Sequence, residues 1–410
     1  MKVNPQQLLD DGFIILRNVI PPEQLNELRD SFEALVEKQK QIWAAERKSD
    51  EPPGGAWDTS AQPRVFFNTV VDVETANTVA FCLHENTLGV SRQLMQAPDA
   101  AVTLMALMCS PPKDYGPASW HRDMDPIEQA PMRGLQMDML TNAPGYVQWN
   151  IPLYDDSVLW VVPGSHSRPN TDEEQQHLLT NPQKPIPGGI PVELNAGDGV
   201  VYSNLILHWG SNYSSQLRRT IHLGYRSFGG AIFPYVNHHY WKLDFTAHLS
   251  SEAREHFERF AELHEQRCAV IEATFRAILN KDEVAFREGL ATLHPGQDER
   301  MVTVVLLCKW ADKVRKLKDP DILNLPLEER VRAVSEHRLN IHLFEEFATR
   351  FSKSEADTLW ERFNTLDAQL QADAKRSVPD FGSRIMRYLF TEMPENFDIE
   401  HFIASWDSQE

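Results

Sequence analysis

Tyr146-Val147-Gln148-Trp149-Asn150-Ile151 is a short, largely apolar run set between turn clusters, and it reads as a β-strand. Gly199-Val200-Val201-Tyr202 has the same texture. From about residue 65 to 245 such runs recur, with no helical stretches of comparable length between them. This pattern predicts a sandwich or barrel and not a doubly wound sheet. On a strand, residues two apart share a face. Gln148 and Asn150 therefore point the same way, toward a bound ligand or as one half-exposed strand face.

Outward from this β region the texture changes twice. Toward the N-terminus, Phe13-Ile14-Ile15-Leu16 reads as a further strand, and Pro21-Pro22-Glu23 as a helix start. Leu25, Leu28, Phe32 and Leu35 then recur at the spacing of a packed helix face. Residues 46–64, with Pro52-Pro53-Gly54-Gly55, read as a long loop, either a functional lid or a disordered stretch. Beyond about residue 249 the pattern is helical. Leu359, Phe363, Leu366 and Leu370 form one stripe, with Ser354 and Asp357 as its expected cap. The expected fold class is α+β, with residues 1–248 as a β-rich unit with flanking helices and 249–410 as an all-helical unit.

The chain of 410 residues has 40 Lys and Arg against 59 Asp and Glu, a formal charge of −19. A surface this acidic repels phosphate backbones and anionic headgroups, so neither nucleic acid nor a membrane is expected as the main partner. Cys82, Cys109, Cys268 and Cys308 lie far apart and read as buried, reduced side chains. Met1-Lys2-Val3-Asn4-Pro5 lacks the basic-then-apolar pattern of a signal peptide. No apolar run approaches the ~20 residues of a membrane helix. The expectation is a cytoplasmic enzyme.

Trp120-His121-Arg122-Asp123 carries the sharpest chemical signal. His121 and Asp123 would present an imidazole and a carboxylate to one point if they lie on a strand. His208, at the end of the run Val200–His208 and before Gly210-Ser211-Asn212, would supply a second imidazole. Two histidines and one carboxylate on one face leave open positions on iron(II). An isolated His-x-Asp recurs by chance, so the company it keeps matters. Downstream stand Arg218-Arg219-Thr220, a source of a planar cationic fork for a carboxylate, with an added hydroxyl.

These pieces, in this order, resemble the phytanoyl-CoA dioxygenase family of iron(II)/2-oxoglutarate oxygenases. The resemblance rests on Asp11-Gly12-Phe13-Ile14-Ile15-Leu16-Arg17-Asn18-Val19, Trp120-His121-Arg122-Asp123, and Leu159-Trp160-Val161-Val162-Pro163-Gly164-Ser165-His166. Ala196-Gly197-Asp198 before His208, and Arg218-Arg219-Thr220, complete it over roughly residues 6–228. It implies a double-stranded β-helix, a cupin-like jelly roll, with His121, Asp123 and His208 as ligands of Fe(II). It also implies 2-oxoglutarate and O2 as co-substrates, with a basic anchor for the far carboxylate. Counting from the distal histidine favours Arg219; aligning the turn favours Arg218, to which we lean. The two alternate across the strand, so only one can face the cavity. Gln148 and Asn150 would lie beside the iron.

The implied reaction hydroxylates, or otherwise oxidises, a C–H bond and releases succinate and CO2. Asp123 fills the place that related halogenases leave small for chloride, which favours an oxygenase; desaturation, ring closure and epimerisation stay open. The alternatives are a jelly-roll metalloenzyme that does not use 2-oxoglutarate and an inactive scaffold of the same fold. Nothing resembles a basic cluster for a CoA diphosphate, and Trp57 and Arg64 are the expected substrate contacts. His166 reads as structural, and His238-His239 as loop or lid residues. The C-terminal helices would cover the active-site mouth, form a homodimer, or thicken the outer face of the core.

Overall fold

The computed structural model describes the chain apart from residues 124–130, 229–242, 297–299, 335–340, 373–377, 380–384, 387–391, 396 and 408–410. His238 and His239 therefore lie outside the described residues.

Strands β1 (Phe13–Leu16), β2 (Arg64–Phe66), β3 (Ala101–Cys109), β4 (Tyr146–Pro152), β5 (Leu159–Val161), β6 (Ile190–Pro191), β7 (Gly199–Tyr202), β8 (His208–Gly210) and β9 (Arg219–Arg226) build two facing sheets. The larger has the order β1-β7-β4-β9-β3-β2 and the smaller β6-β5-β8, with antiparallel pairing throughout. This is the jelly roll of the cupins, set in an α+β chain.

Register decides which residues face inward. Gln148 pairs with Tyr202 and Gly224, and Asn150 with Val200 and His222, so these share the inner face. Val200 and Tyr202 pack there with Leu159 and Val161 of the smaller sheet and with Ile206 of the turn before β8. Trp149, Ile151, Leu223 and Tyr225 alternate to the outer face. That face is covered by helix α2 (Leu25–Glu46), which buries Leu28, Phe32, Leu35 and Val36 against it. Each such side chain contributes about 1.5–3 kcal/mol on burial. The indole N–H of Trp149 is satisfied by Ser91 Oγ at 2.9 Å, so this large ring carries no polar penalty.

The β region holds helices that the sequence pattern did not separate. Ala76–Cys82, Val90–Met95 and helix α3 (Met132–Asn142) all interrupt it. The first two span about two turns each, too short for a 3.6-residue stripe to stand apart from a strand run. The stretch after α2 folds back onto that helix. It contains a single turn, Ala56–Thr59, and Trp57 rests 6.1 Å from Trp43.

Helix α1 (Pro5–Asp11) precedes β1 and ends on Gly12 at φ +83°, whose N–H bonds the carbonyl of Leu8. A Cβ there would come within 2.5 Å of His166 Nδ1, so glycine is required by conformation and by space together.

Beyond residue 249 lie α4 (Ser251–Leu279), α5 (Arg300–Lys316) and α6 (Lys353–Ala372). The α6 stripe of Leu359, Phe363, Leu366 and Leu370 is buried. Its cap is Ser352 and not Ser354: Ser352 Oγ accepts from Glu355 N at 3.2 Å, and Glu355 Oε2 accepts from Ser352 N at 2.7 Å. The region is not wholly helical, because Val378–Pro379 pairs with Ile385–Met386. Its core is continuous with the smaller sheet. Trp120 and Trp209 stack at 5.5 Å, and Trp160 meets Trp209 edge-on at 5.7 Å. This layer runs into Met132, Leu135 and Met139 of α3 and on into α4, α5 and α6. All four cysteines are buried and unpaired by disulfides. No described helix is long and apolar enough to cross a membrane.

Candidate metal centre

His121 and His208 are brought together by backbone pairing. Each donates its N–H to the other's carbonyl at 2.9 Å, an isolated antiparallel bridge at the rim of the smaller sheet. The sequence predicts His208 at the end of one long strand. Instead β7 stops at Tyr202, the chain turns with Ile206 N bonded to Ser203 O at 3.1 Å, and His208 opens β8. Asp123 follows the bridge, its N–H donating to Asn204 O at 2.9 Å.

The two imidazoles are set in the same way. His121 Nδ1 lies 2.8 Å from Ser119 O, and His208 Nδ1 lies 2.9 Å from Ile206 O. A carbonyl only accepts, so Nδ1 carries a proton in each ring and Nε2 is the atom turned toward Asp123. Both Nε2 atoms converge on Asp123, at 3.3 Å from Oδ1 and 3.2 Å from Oδ2. The ligand atoms of the three residues lie within 4.8 Å of one another. Burial raises the Asp123 carboxyl, but the neighbouring His208 and His121 outweigh it and hold the group well below the usual carboxylate range. Gln148 Nε2 donates to Asp123 Oδ2 at 3.0 Å and fixes the carboxylate's rotation. Two imidazole nitrogens and one carboxylate gathered at one point are a donor set for a divalent transition metal.

Arg122, between His121 and Asp123, is buried and faces away from them. Its guanidinium donates to Ser165 O at 2.7 Å, to Leu205 O, and to Asn170 Oδ1 at 2.6 Å. It ties the Trp120–Asp123 segment to the Pro163–His166 turn and to the turn before His208. Burial pushes its pKa down to about 9. His166 is a strut as well, its Nε2 lying 2.8 Å from Leu9 O of α1.

The arginine pair divides across the strand. Arg219 turns outward, where its Nε meets Glu33 Oε1 at 2.8 Å and its guanidinium lies 6.0 Å from the Trp57 ring. Arg218 and Thr220 turn inward. Arg218 Nε donates to Asp156 Oδ2 at 2.8 Å, and Thr220 Oγ1 donates to the same oxygen at 2.6 Å. The sequence assigns the Thr220 hydroxyl to a ligand carboxylate; its proton is instead committed to Asp156. Asn150 Oδ1 accepts from His222 Nδ1 at 2.8 Å. Trp57, expected at a substrate, is packed on α2 with Lys40 Nζ 4.7 Å from its ring centroid. Arg64 is on the inner face, paired in register with Met108, which in turn pairs with Thr220.

Three inward residues escape the sequence analysis. Burial, with the charge of Arg64, pushes His222 down to about 3, so it is neutral here. It follows Thr220 by two positions, and strand alternation could have found it. Asp156 precedes the Leu159–His166 motif, but only the fold brings it to Arg218. Tyr213 lies over Arg218, 5.3 Å from the guanidinium carbon to the ring centroid, and nothing in its turn announces this.

Residues 8–221, just over half of the chain, match the family model for phytanoyl-CoA dioxygenase (PhyH). The chain belongs to the phytanoyl-CoA dioxygenase family. The matched span contains the His-Asp-His cluster and both inward residues Arg218 and Thr220. No curated protein matches the chain. Among solved structures it is similar to AviO1 from Streptomyces viridochromogenes Tue57, at 21% identity over 55% of this chain and 94% of that one, with TM-score 0.39. It is similar to SnoN, a non-heme alpha ketoglutarate dependent epimerase from nogalamycin biosynthesis, at 16% identity over 55% and 80%, with TM-score 0.38. It is also similar to EctD from S. alaskensis with 2-oxoglutarate and 5-hydroxyectoine, at 15% identity over 55% and 75%, with TM-score 0.39.

Proposed function

We propose that this member of the phytanoyl-CoA dioxygenase family is an Fe(II)/2-oxoglutarate-dependent dioxygenase that hydroxylates, or otherwise oxidises, a C–H bond of a small organic molecule. The observation that carries the reading is the convergence of the two imidazole Nε2 atoms on the Asp123 carboxylate. That donor set fits iron(II): each imidazole has Nδ1 tied to a backbone carbonyl, which leaves Nε2 as its ligand atom, and the carboxylate is ionised.

His121, Asp123 and His208 would hold the metal. Bound there with 2-oxoglutarate and O2, iron(II) supplies an oxidant able to break a C–H bond, while the co-substrate leaves as succinate and CO2. The chain's own part is placement. The Ser119 and Ile206 carbonyls keep both Nε2 atoms turned toward Asp123, and Gln148 keeps Asp123 from rotating. Arg218, buried beside Tyr213, offers a cation for the far carboxylate of 2-oxoglutarate; its Nη1 is buried and has no hydrogen-bond partner among the described residues. Arg219 has no part in that pocket. The apolar packing of Val200, Tyr202, Leu159 and Val161 shields the site from water on the inner side. Residues 1–248 would form this catalytic unit, with 249–410 as the helical unit packed on its smaller sheet.

One observation favours a second reading, a jelly-roll metalloenzyme that does not use 2-oxoglutarate. Arg218 and Thr220 are already bonded to Asp156, which partly neutralises the expected anchor. Succinate formation separates the two. Aerobic incubation of the Fe(II)-loaded protein with 2-oxoglutarate should yield succinate, even without a substrate, through slow uncoupled turnover. Metal-dependent activity with no succinate, and no effect of adding 2-oxoglutarate, would support the second reading.

A further inference from the structure

The far end of the co-substrate pocket carries a carboxylate of the chain's own. Asp156 lies between β4 and β5 and is pinned by its backbone: its N–H donates to Leu194 O at 2.9 Å, and its carbonyl accepts from Leu194 N at 3.0 Å. Its side chain is 6% exposed and that of Arg218 is 3% exposed, so the pair is buried together. One carboxylate oxygen accepts from Val158 N at 2.8 Å. The other accepts from Arg218 Nε at 2.8 Å and from Thr220 Oγ1 at 2.6 Å.

The rest of the guanidinium is equally constrained. The Tyr213 ring covers it at 5.3 Å, and Tyr213 can lie there because residue 210 is glycine: a Cβ at Gly210 would meet Tyr213 Oη at 2.2 Å. Arg218 Nη1 is buried and without a partner among the described residues. A guanidinium is a rigid planar fork, so gripping its Nε edge fixes where its Nη end points. A carboxylate that merely replaced a ligand would satisfy that end. Asp156 takes the side of the fork and leaves a buried donor unsatisfied at its tip, which is the arrangement of a held donor awaiting an acceptor.

We propose that Asp156 is a positioning residue for the co-substrate: it holds Arg218 by the Nε edge, so that Nη1 donates to the far carboxylate of 2-oxoglutarate. The inference rests on the 2-oxoglutarate reading above. Charge permits it. Strand β2 sets Arg64 in register with Met108 and, through it, with Thr220, so a second cation stands on this face beside Arg218. The far carboxylate is then recognised by the tip of one fork and not by an arginine–hydroxyl pair, because the Thr220 hydroxyl already donates to Asp156.

The test is anaerobic calorimetric titration of the Fe(II)-loaded full chain with 2-oxoglutarate and, separately, with 2-oxobutyrate, which lacks the far carboxylate. Asp156→Ala should raise the Kd for 2-oxoglutarate about tenfold or more, as expected for loss of a charge-assisted contact. It should leave the Kd for 2-oxobutyrate unchanged. Equal weakening of both ligands would mean general damage to the site, and unchanged or tighter binding of 2-oxoglutarate would mean that Asp156 does not position Arg218; each overturns the inference. If Asp156→Ala does not fold, Asp156→Asn carries the test, because it keeps the volume and an oxygen for Arg218 Nε. Binding of 2-oxoglutarate within about threefold of wild type supports positioning, whereas binding about tenfold tighter shows that the carboxylate opposes the ligand and overturns it. Wild type that binds no 2-oxoglutarate removes the parent reading and this inference together. Wild-type binding that Asp156→Ala leaves unmoved overturns this inference alone.

Discussion

Arg218 and Arg219 are neighbours with the same side chain and opposite surroundings, and they set the sharpest residue-scale contrast. Arg218→Ala removes the inward cation, and a lost hydrogen bond between charged groups is worth about 1.5–3 kcal/mol. The Kd for 2-oxoglutarate should rise by roughly one to two orders of magnitude, measured by anaerobic titration. Arg219→Ala removes a half-buried bond to Glu33 and should leave that Kd unchanged, with a modest fall in melting temperature. Arg122 gives a second contrast. Arg122→Leu would leave the carbonyls of Ser165 and Leu205 and the side chain of Asn170 without their buried donor. A loss of about 1–3 kcal/mol for each acceptor left unsatisfied is expected in denaturant unfolding, together with weaker metal binding, because the segment carrying His121 and Asp123 loses its strut. The sequence made the three candidate ligands legible, because their residue types and order are themselves the chemistry. It did not reveal the partner of Arg218, because Asp156 is 62 positions away and meets it only in the folded chain.

At the scale of elements, the smaller sheet is a layer between the metal centre and the C-terminal helices. Its inner face holds His208, and its outer face holds Trp160 and Trp209. Trp209→Ala should cost about 3–5 kcal/mol in denaturant unfolding, the usual range for a buried tryptophan truncated to alanine. Helix α3 is tied to the C-terminal region by His294, which is fully buried and bonded through Nε2 to Asp138 Oδ1. Burial alone lowers the His294 pKa, but the Asp138 carboxylate outweighs it and raises the value above the ordinary one. A raised folded-state pKa contributes stability that is fully present below the unfolded value of about 6.5 and is lost as pH rises through the folded value. Thermal unfolding should therefore show falling stability as pH rises through that window, and His294→Gln should flatten this slope. Strand β1 and the stripe of α2 were legible because their side chains alternate or recur at one period over enough residues. The short helices Ala76–Cys82 and Val90–Met95 were not, since two turns give too few repeats to fix a period.

At the scale of the whole molecule, one hydrophobic cluster runs from Trp120, Leu205 and Trp209 into Phe275, Phe363 and Trp406. A chain ending at residue 248 would expose that tryptophan layer, a patch of the kind that drives association. Such a truncation should be recovered as aggregate, whereas soluble, monomeric protein with bound metal would show that the first 248 residues are self-sufficient. The helical character of this region was legible from its periodicity, but its continuity with the smaller sheet was not, because packing between distant segments leaves no local pattern. The central claim concerns the metal and its co-substrate, and anaerobic Fe(II) titration with 2-oxoglutarate addresses it most directly. Wild type should develop the weak visible charge-transfer band of the chelate, and His121→Ala should not. Iron bound by wild type with no band on adding 2-oxoglutarate would contradict the claim.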